Sequence, residues 1–442
     1  MLVSVDNGSM DRTIGKARSL TLTSLAHFTN DGTVYFVPVI AAILAAHRSV
    51  SPVVITLLFL AFYASSTLIS LFVGRLSDRL GRPGSLMGLG LGILSVGLFG
   101  FYLALSAANG PGLVVALLAS AFLTGAGSSF YHPLGASLLQ ASFPDRSLGM
   151  ALGVNGALGS LGRALYPSLY FAAAAVIAGY GSIALFALVG LAAGLAVWLG
   201  ARVSSRGPVG STATPDTGAA LPGAALPGAA EMPGAGAMPA VRPRSADTIT
   251  RGIAALTVVA FLRSSATQGI AWVPTYLATQ KGLGVGGNLG LTVTTMYAAA
   301  IIGQPVFGLL VDRFDKRAML ALSSLGAAAT TLGYLHLGAG WVGTGWLFAF
   351  GFFVFSGFPL LLSMVGDYVP RGATSLANAL VWGFGSTAGA AIGPLATGAL
   401  IGGDYGRLGG AFTVLAVAAV LSALATVFVP RAERSAKMRA FA

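Results

Sequence analysis

Cysteine is absent from this chain of 442 residues, and charge is scarce: only 9% of its positions are Asp, Glu, Lys or Arg. Without thiols there are no disulfides, no thiolate nucleophiles and no cysteine metal sites, and the redox compartment leaves no trace. The shortage of charge excludes more. A soluble protein of this length needs more polar side chains to cover its surface, whereas here 55% of residues are hydrophobic and mean hydropathy is +0.82. That composition describes a polytopic helical membrane protein. No phosphate-cradling glycine loop follows a strand, so ATP drive within the chain has no support. No metal-ligand spacing stands out, and no cofactor is expected. The formal net charge of +12 would suggest nucleic acid in a soluble chain. In a membrane protein a basic cytoplasmic face accounts for it, with no nucleic-acid partner.

What the chain does have is long apolar runs. A helix needs about 20 apolar residues to cross a bilayer, and twelve candidate spans meet that need: roughly 20–46, 53–74, 85–106, 112–140, 147–178, 181–200, 250–277, 289–310, 318–337, 342–366, 373–402 and 408–430. All are expected to be helical, because unpaired backbone in lipid is too costly. With the N-terminus inside, 20 of the 25 Lys and Arg fall on the cytoplasmic side, and only Arg48, Lys281 and Arg407 fall outside. That bias puts both termini in the cytoplasm of a cell-membrane protein. Residues 1–19 carry Asp6, Asp11, Arg12, Lys16 and Arg18 and no apolar core, and read as a cytoplasmic tail rather than a signal peptide. Residues 201–247 are rich in Ala, Gly and Pro, with near-repeats at 221–225 and 226–230, and read as a flexible linker. The expected organisation is an all-α integral membrane protein. A six-helix bundle over 20–200 and its pseudo-symmetric partner over 248–430 flank that linker, and a basic tail follows at 431–442.

Two loops support an internal duplication. Gly74 to Pro83 reads Gly-Arg-Leu-Ser-Asp-Arg-Leu-Gly-Arg-Pro, and Gly308 to Arg317 reads Gly-Leu-Leu-Val-Asp-Arg-Phe-Asp-Lys-Arg. Each follows the second span of its half. The first resembles the signature of the major facilitator superfamily, Gly-x-Leu-Ala-Asp-Arg-x-Gly-Arg-Lys/Arg. Gly74, Leu76, Asp78, Arg79, Gly81 and Arg82 match, while Ser77 stands for Ala and Pro83 for a basic residue. The second keeps Gly308, Asp312, Arg313 and Arg317, with Asp315 in place of the second glycine. The resemblance implies the twelve-helix major facilitator fold. It also implies a conformational latch at Gly74, Asp78, Arg79, Gly81, Arg82, Asp312 and Arg313. Asp78 sits where a neighbouring helix end or nearby arginines can neutralise it. Two further segments, Ala26 to Asp31 and Phe130 to Ser137, resemble the fosmidomycin-resistance branch of drug exporters. The glycine-rich stretch from Gly149 to Pro167 is similar to the superfamily's antiporter motif, with Arg163 as a departure from it.

A few polar side chains fall within the spans. Asp31 lies about 11 residues, or ~16 Å, into the first span, and an ionisable residue there is a functional candidate by default. His27 is one turn away on the same face, so His27 and Asp31 are the candidate proton carriers. The alternative is that Asp31 pairs with an arginine as structural glue. Arg263 lies near mid-membrane in the seventh span, and Arg163 towards the outer half of the fifth. Their planar forks suit carboxylate, phosphate or phosphonate. Two unshared arginines against one aspartate would leave surplus positive charge for an anionic substrate; alternatively one pairs with Asp31 and the other snorkels. His132, before Pro133, can bond substrate or a carbonyl freed at the proline. Asn30, Gln268 and Tyr276 complete the candidate substrate site, with Gln304, Asn155 and Asn378 as weaker candidates and Trp272 and Trp382 as residues that either line a cavity or simply pack. Gly153, Gly156, Gly159 and Gly162 form a small face suited to close helix approach, as do Gly383, Gly385 and Gly389 in the second half. The expected function is proton-coupled efflux of a small anionic or amphiphilic compound by a monomer in the bilayer. Organic-anion uptake or exchange is one alternative, and a receptor or channel another.

Overall fold

The computed structural model describes residues 15–143, 145–203, 246–368 and 379–431, and every regular element among them is helical. The first half comprises α1 (Lys16–His47), α2 (Pro52–Leu80), α3 (Pro83–Ala107), α4 (Gly110–Ser128), α5 (Tyr131–Ser142), α6 (Asp145–Ala174) and α7 (Gly181–Val203). The second comprises α8 (Ala246–Thr267), a 3-10 turn at Gln268–Trp272, α9 (Val273–Thr279), α10 (Gly287–Arg313), α11 (Lys316–Leu335), α12 (Trp341–Tyr368), a π-helical stretch at Ala379–Ala388, α13 (Gly389–Ile401) and α14 (Leu408–Ala425). Ten stretches are individually long and apolar enough to cross a membrane. The two remaining expected spans are occupied by α6, with 30 residues, and α12, with 28. The linker's ends fold into helix as far as Val203 and from Ala246 onward; its remainder, the chain ends, Arg371 and Asn378 lie outside the described residues.

Three expected spans are interrupted. The fourth breaks between α4 and α5, just before His132 and Pro133; the seventh tightens to 3-10 geometry at Gln268; the eleventh widens to π geometry before α13. Such breaks in a membrane persist where protein or a cavity re-satisfies the backbone.

The signature loops have local reasons for their residues. Gly81 adopts a left-handed conformation (φ 61°) and ends α2, its N–H donating to the Ser77 carbonyl at 2.8 Å; only glycine enters that region cheaply. Pro83 then opens α3 at its first turn, where a missing N–H costs nothing. In the second copy Asp315 replaces the glycine because it works from the other side of the turn. Its carboxylate caps α11, accepting from the N–H groups of Arg317 (2.8 Å) and Ala318 (3.2 Å).

Glycines set matching close approaches in the two halves. A Cβ on Gly162 of α6 would overlap the Phe28 carbonyl of α1, and one on Gly389 of α13 would overlap the Phe261 carbonyl of α8. Gly159 likewise receives the His27 ring, whereas Gly153 and Gly156 face open space. Half of the expected small face on α6 is thus a packing seam and half is not. Trp382 and Gly383 lie in the π-helical stretch, and their surroundings lie outside the described residues.

The apolar cores reveal the state of the molecule. At the end remote from the chain termini, the halves share one core: Phe36, Ile40, Phe59 and Phe101 of the first half join Trp272, Met296, Tyr297 and Phe412 of the second. At the terminus-bearing end the cores are separate. One holds Val73, Met87, Leu91 and Leu134 of the first half only; the other holds Leu256, Phe307, Leu360 and Met364 of the second only. The far-end seam is also tied by polar contacts. Ser168 and Thr294 hydroxyls meet at 2.8 Å, and the Tyr405 hydroxyl donates to the Val50 carbonyl at 2.6 Å. Trp272 packs edge-on to Phe59 across the halves, at 5.4 Å. A Cβ on Gly398 of α13 would overlap the Thr56 hydroxyl of α2.

A side chain at 398 therefore wedges the far ends apart. Gly398→Val should raise the labelling rate of a cysteine placed at Thr294 by a membrane-impermeant maleimide, several-fold over the Thr294→Cys chain alone. An unaltered rate would mean that the seam does not depend on this contact. The absence of native cysteine removes background labelling.

Candidate functional site

A cavity of about 310 Å³ lies between the halves, below the shared core. Its wall takes His27, Asn30 and Asp31 from α1, His132 from α5, Arg163 from α6, Arg263 from α8 and Gln268 from the 3-10 turn, together with Gln304 of α10. All but one of the expected proton-coupling and substrate residues therefore converge. The exception is Tyr276. It is buried among Tyr334, at 6.3 Å, and Phe412, at 5.2 Å between ring centroids, and lines a separate apolar pocket within the second half. Trp272 packs as well, its indole N–H donating to the Pro394 carbonyl at 3.0 Å.

Asp31 is the hub. Arg163 Nη2 donates to its Oδ2 at 2.7 Å, so the expectation of two unshared arginines is corrected: Arg163 is committed to the carboxylate. The physical reason is the cost of leaving either charge alone in a low-dielectric interior. His27 Nε2 stands 3.4 Å from the same oxygen. On the other oxygen, Asn30 Nδ2 donates at 3.1 Å and His132 Nε2 stands at 3.8 Å. His132 thus faces Asp31 across the cavity, with half of its side chain exposed.

The tautomer of His27 follows from its other face. Nδ1 lies 2.8 Å from the backbone carbonyl of Asn155 and 3.0 Å from its Oδ1. Both are acceptors, so Nδ1 carries the hydrogen and Nε2 of the neutral ring points a lone pair at Asp31. Tyr131 completes this shell, stacking on His27 at 4.4 Å and donating to Asn155 Oδ1 at 2.7 Å. An added proton has two adjoining seats, His27 Nε2 and Asp31 Oδ2, and in either one it competes with Arg163 for the carboxylate.

Arg163 is also held by aromatic rings. Its guanidinium carbon lies 4.5 Å from the Tyr35 centroid and 4.6 Å from the Phe355 centroid. Tyr35 follows Asp31 by one helical turn, so a same-face count along α1 would have found it. Phe355 and Tyr297, from the second half, carry no local signal in the sequence.

Arg263 differs. Among the described residues no carboxylate reaches it. Nη2 donates to the carbonyls of Phe353 (3.0 Å) and Val354 (2.8 Å), and Nε is buried with no partner. The guanidinium lies flat on α12 where Gly357 leaves room: a Cβ there would collide with it. It is a buried cation on a cavity wall whose partners among the described residues are neutral oxygens.

Of the expected latch, Arg79, Arg82 and Arg313 are exposed at the open end, and Gly74 faces empty space. The side chains of Asp78 and Asp312 lie outside the described residues.

Comparison with known proteins agrees with this architecture. Residues 21–386 and 286–440 match the sequence model of the Major Facilitator Superfamily. The chain belongs to the major facilitator superfamily. It is a multi-pass membrane transporter and not an enzyme. No curated protein sequence matches it. Among solved structures it is similar to a bacterial homologue of the human lysosomal transporter Spinster, in an inward-facing and unoccupied conformation (TM-score 0.61, 15% identity, 94% of this chain and 95% of that one). It is also similar to a peptide transporter POT in complex with alafosfalin (0.68, 16%, 93% and 93%) and to the nucleoside transporter NupG (0.66, 11%, 94% and 99%). At these identities the likeness is one of fold.

The Asp31–Arg163 pair gives a stability prediction for this transporter. Arg163→Met leaves Asp31 buried without its cation and should destabilise by about 3–5 kcal/mol. The double variant with Asp31→Asn should recover most of that loss, as read by thermal melting in detergent. Equal melting temperatures for the single and double variants would show that the pair is not coupled.

Proposed function

We propose that this superfamily member is a proton-coupled secondary transporter that exports a small anionic or amphiphilic compound by alternating access. Arg263 carries this reading: it is a buried guanidinium on the wall of an inter-half cavity, paired among the described residues with backbone carbonyls alone. An anionic group on the substrate would supply the missing countercharge. Gln268 and Gln304 would orient the ligand through hydrogen bonds. His27 and Asp31 would carry the proton, with Arg163 holding the carboxylate between loadings.

The loop charges put the terminus-bearing end in the cytoplasm of a cell-membrane protein, which makes the observed state inward-facing. The similar Spinster homologue is in an inward-facing state too. Arg79, Arg82 and Arg313 would then be parts of an open latch that regroups with Asp78 and Asp312 when the cytoplasmic ends close, while residues 201–247 tether the halves. The export direction rests on the resemblance to the fosmidomycin-resistance branch. Both of its segments contribute side chains around one carboxylate: His27, Asn30 and Asp31 from one, Tyr131 and His132 from the other. Uptake or exchange of organic anions is the second reading, favoured by the same guanidinium, and a resistance assay set against an uptake assay in expressing cells separates the two.

Two measurements test the reading. In proteoliposomes, Asp31→Asn should abolish accumulation driven by an imposed pH gradient while keeping substrate counterflow; accumulation by the variant would remove Asp31 from the coupling. In a thermal-shift panel of small phosphonates and carboxylates, a compound that stabilises the parent should lose that effect in Arg263→Ala. Retained stabilisation would place the anion elsewhere.

A further inference from the structure

The coupling reading leaves open how a proton bound in the first half is felt by the second. Arg163 and Asp31 both belong to the first half, and a charge change confined there would not favour one arrangement of the halves over another. Among the described residues, the second-half ring that lies on the guanidinium itself is that of Phe355. Phe355 of α12 lies against the Arg163 guanidinium at 4.6 Å, beside Tyr35 at 4.5 Å. Tyr35 in turn meets Phe355 at 5.8 Å and Tyr297 at 5.1 Å, so rings from both halves gather against the arginine just under the far-end core. We propose that Phe355 is the positioning residue through which the protonation of Asp31 biases the halves, Arg163 being the cation it reads. The proposal rests on Asp31 as the proton carrier.

The sign follows from the geometry. With Asp31 ionised, the positive charge of Arg163 is largely met by Oδ2 at 2.7 Å. A proton on Asp31, or on His27 Nε2 beside it, weakens that bond and leaves the cation to the rings. A desolvated cation gains from a ring face in proportion to its unmet charge. Separating the far ends would draw Phe355 away from Arg163, so the proton-loaded form favours far ends closed, as seen here. The other groups facing the pair are His132, which when protonated also draws on Asp31, and the neutral Asn30 amide and Tyr131, Tyr35 and Tyr297 hydroxyls. Of these, Tyr297 belongs to the second half, and its ring meets that of Tyr35 at 5.1 Å, whereas Phe355 lies on the guanidinium itself. The neighbouring carbonyls of Phe353 and Val354 hold Arg263, so the same stretch of α12 touches both arginines.

Spin labels on cysteines at Val53 and Gly403, on opposite sides of the far-end seam, report the fraction of open molecules. In the otherwise native chain, lowering pH from about 8 to about 6 should cut the open fraction roughly tenfold, a typical coupling between sites. Asp31→Asn should be closed at both pH values. Phe355→Leu keeps an apolar side chain and loses the ring; its response should fall below about twofold, and Phe355→Tyr should restore it. A full pH response in Phe355→Leu, with Asp31→Asn unresponsive, overturns the role of Phe355 and leaves Asp31 as carrier. A full response in Asp31→Asn overturns both. Should Phe355→Leu melt well below the parent, Phe355→Trp decides: a retained response supports the ring as reader, and a lost one in a stable protein overturns it.

Discussion

A carboxylate taken out of water inside a membrane protein costs several kcal/mol unless its charge is met, and the ion pair between Asp31 and Arg163 is how this chain meets it. Much else answers to that pair. The ring of His27 must reach the same oxygen, so α1 and α6 approach closely enough for that ring to fill the space over Gly159. Asn155, four residues before Gly159, then finds its carbonyl against His27 Nδ1. The break between α4 and α5 brings Tyr131 and His132 around the same group. A set of contacts that could pass for packing thus has one electrostatic requirement behind it.

The architecture was largely legible in the chain because lipid imposes a coarse rule. Twenty apolar residues in a row can do little but span, and scattered arginines mark where spans end. The breaks were less legible. Nothing in Gln268–Trp272 forbids an α-helix; the tightening belongs to a seam in which Gly269 meets Leu415 and Trp272 reaches Pro394. Tyr276 follows that break and packs against Tyr334 and Phe412 in the second half's own core, away from the cavity.

The site divides the same way. Charged side chains inside apolar spans announce themselves, and Asp31, His27, Arg163 and Arg263 all reach the cavity. Their partnerships were not readable, because they depend on how helices pack within each half, α6 on α1 and α8 on α12. The two arginines look equivalent in sequence. That packing makes Arg163 half of an ion pair and leaves Arg263 on neutral carbonyls. Gly357, which makes the bed for Arg263, looks like any other glycine of an apolar helix until the guanidinium is seen lying on it.

That asymmetry between the arginines gives the cavity its chemical direction. If both were free, the wall would carry a diffuse positive field and hold anions without regard to protons. With Arg163 committed, the field available to a ligand centres on Arg263, and any event that releases Arg163 adds a second positive centre. The segment from Phe353 to Gly357 feels both: its carbonyls and its missing side chain seat Arg263, while Phe355 caps Arg163. A movement of the α12 backbone that shifts Phe355 on Arg163 would also move the carbonyls that hold Arg263, because one helical turn contains them all. On the proposed reading, ligand and proton would influence each other without touching, by acting on the same turn of α12.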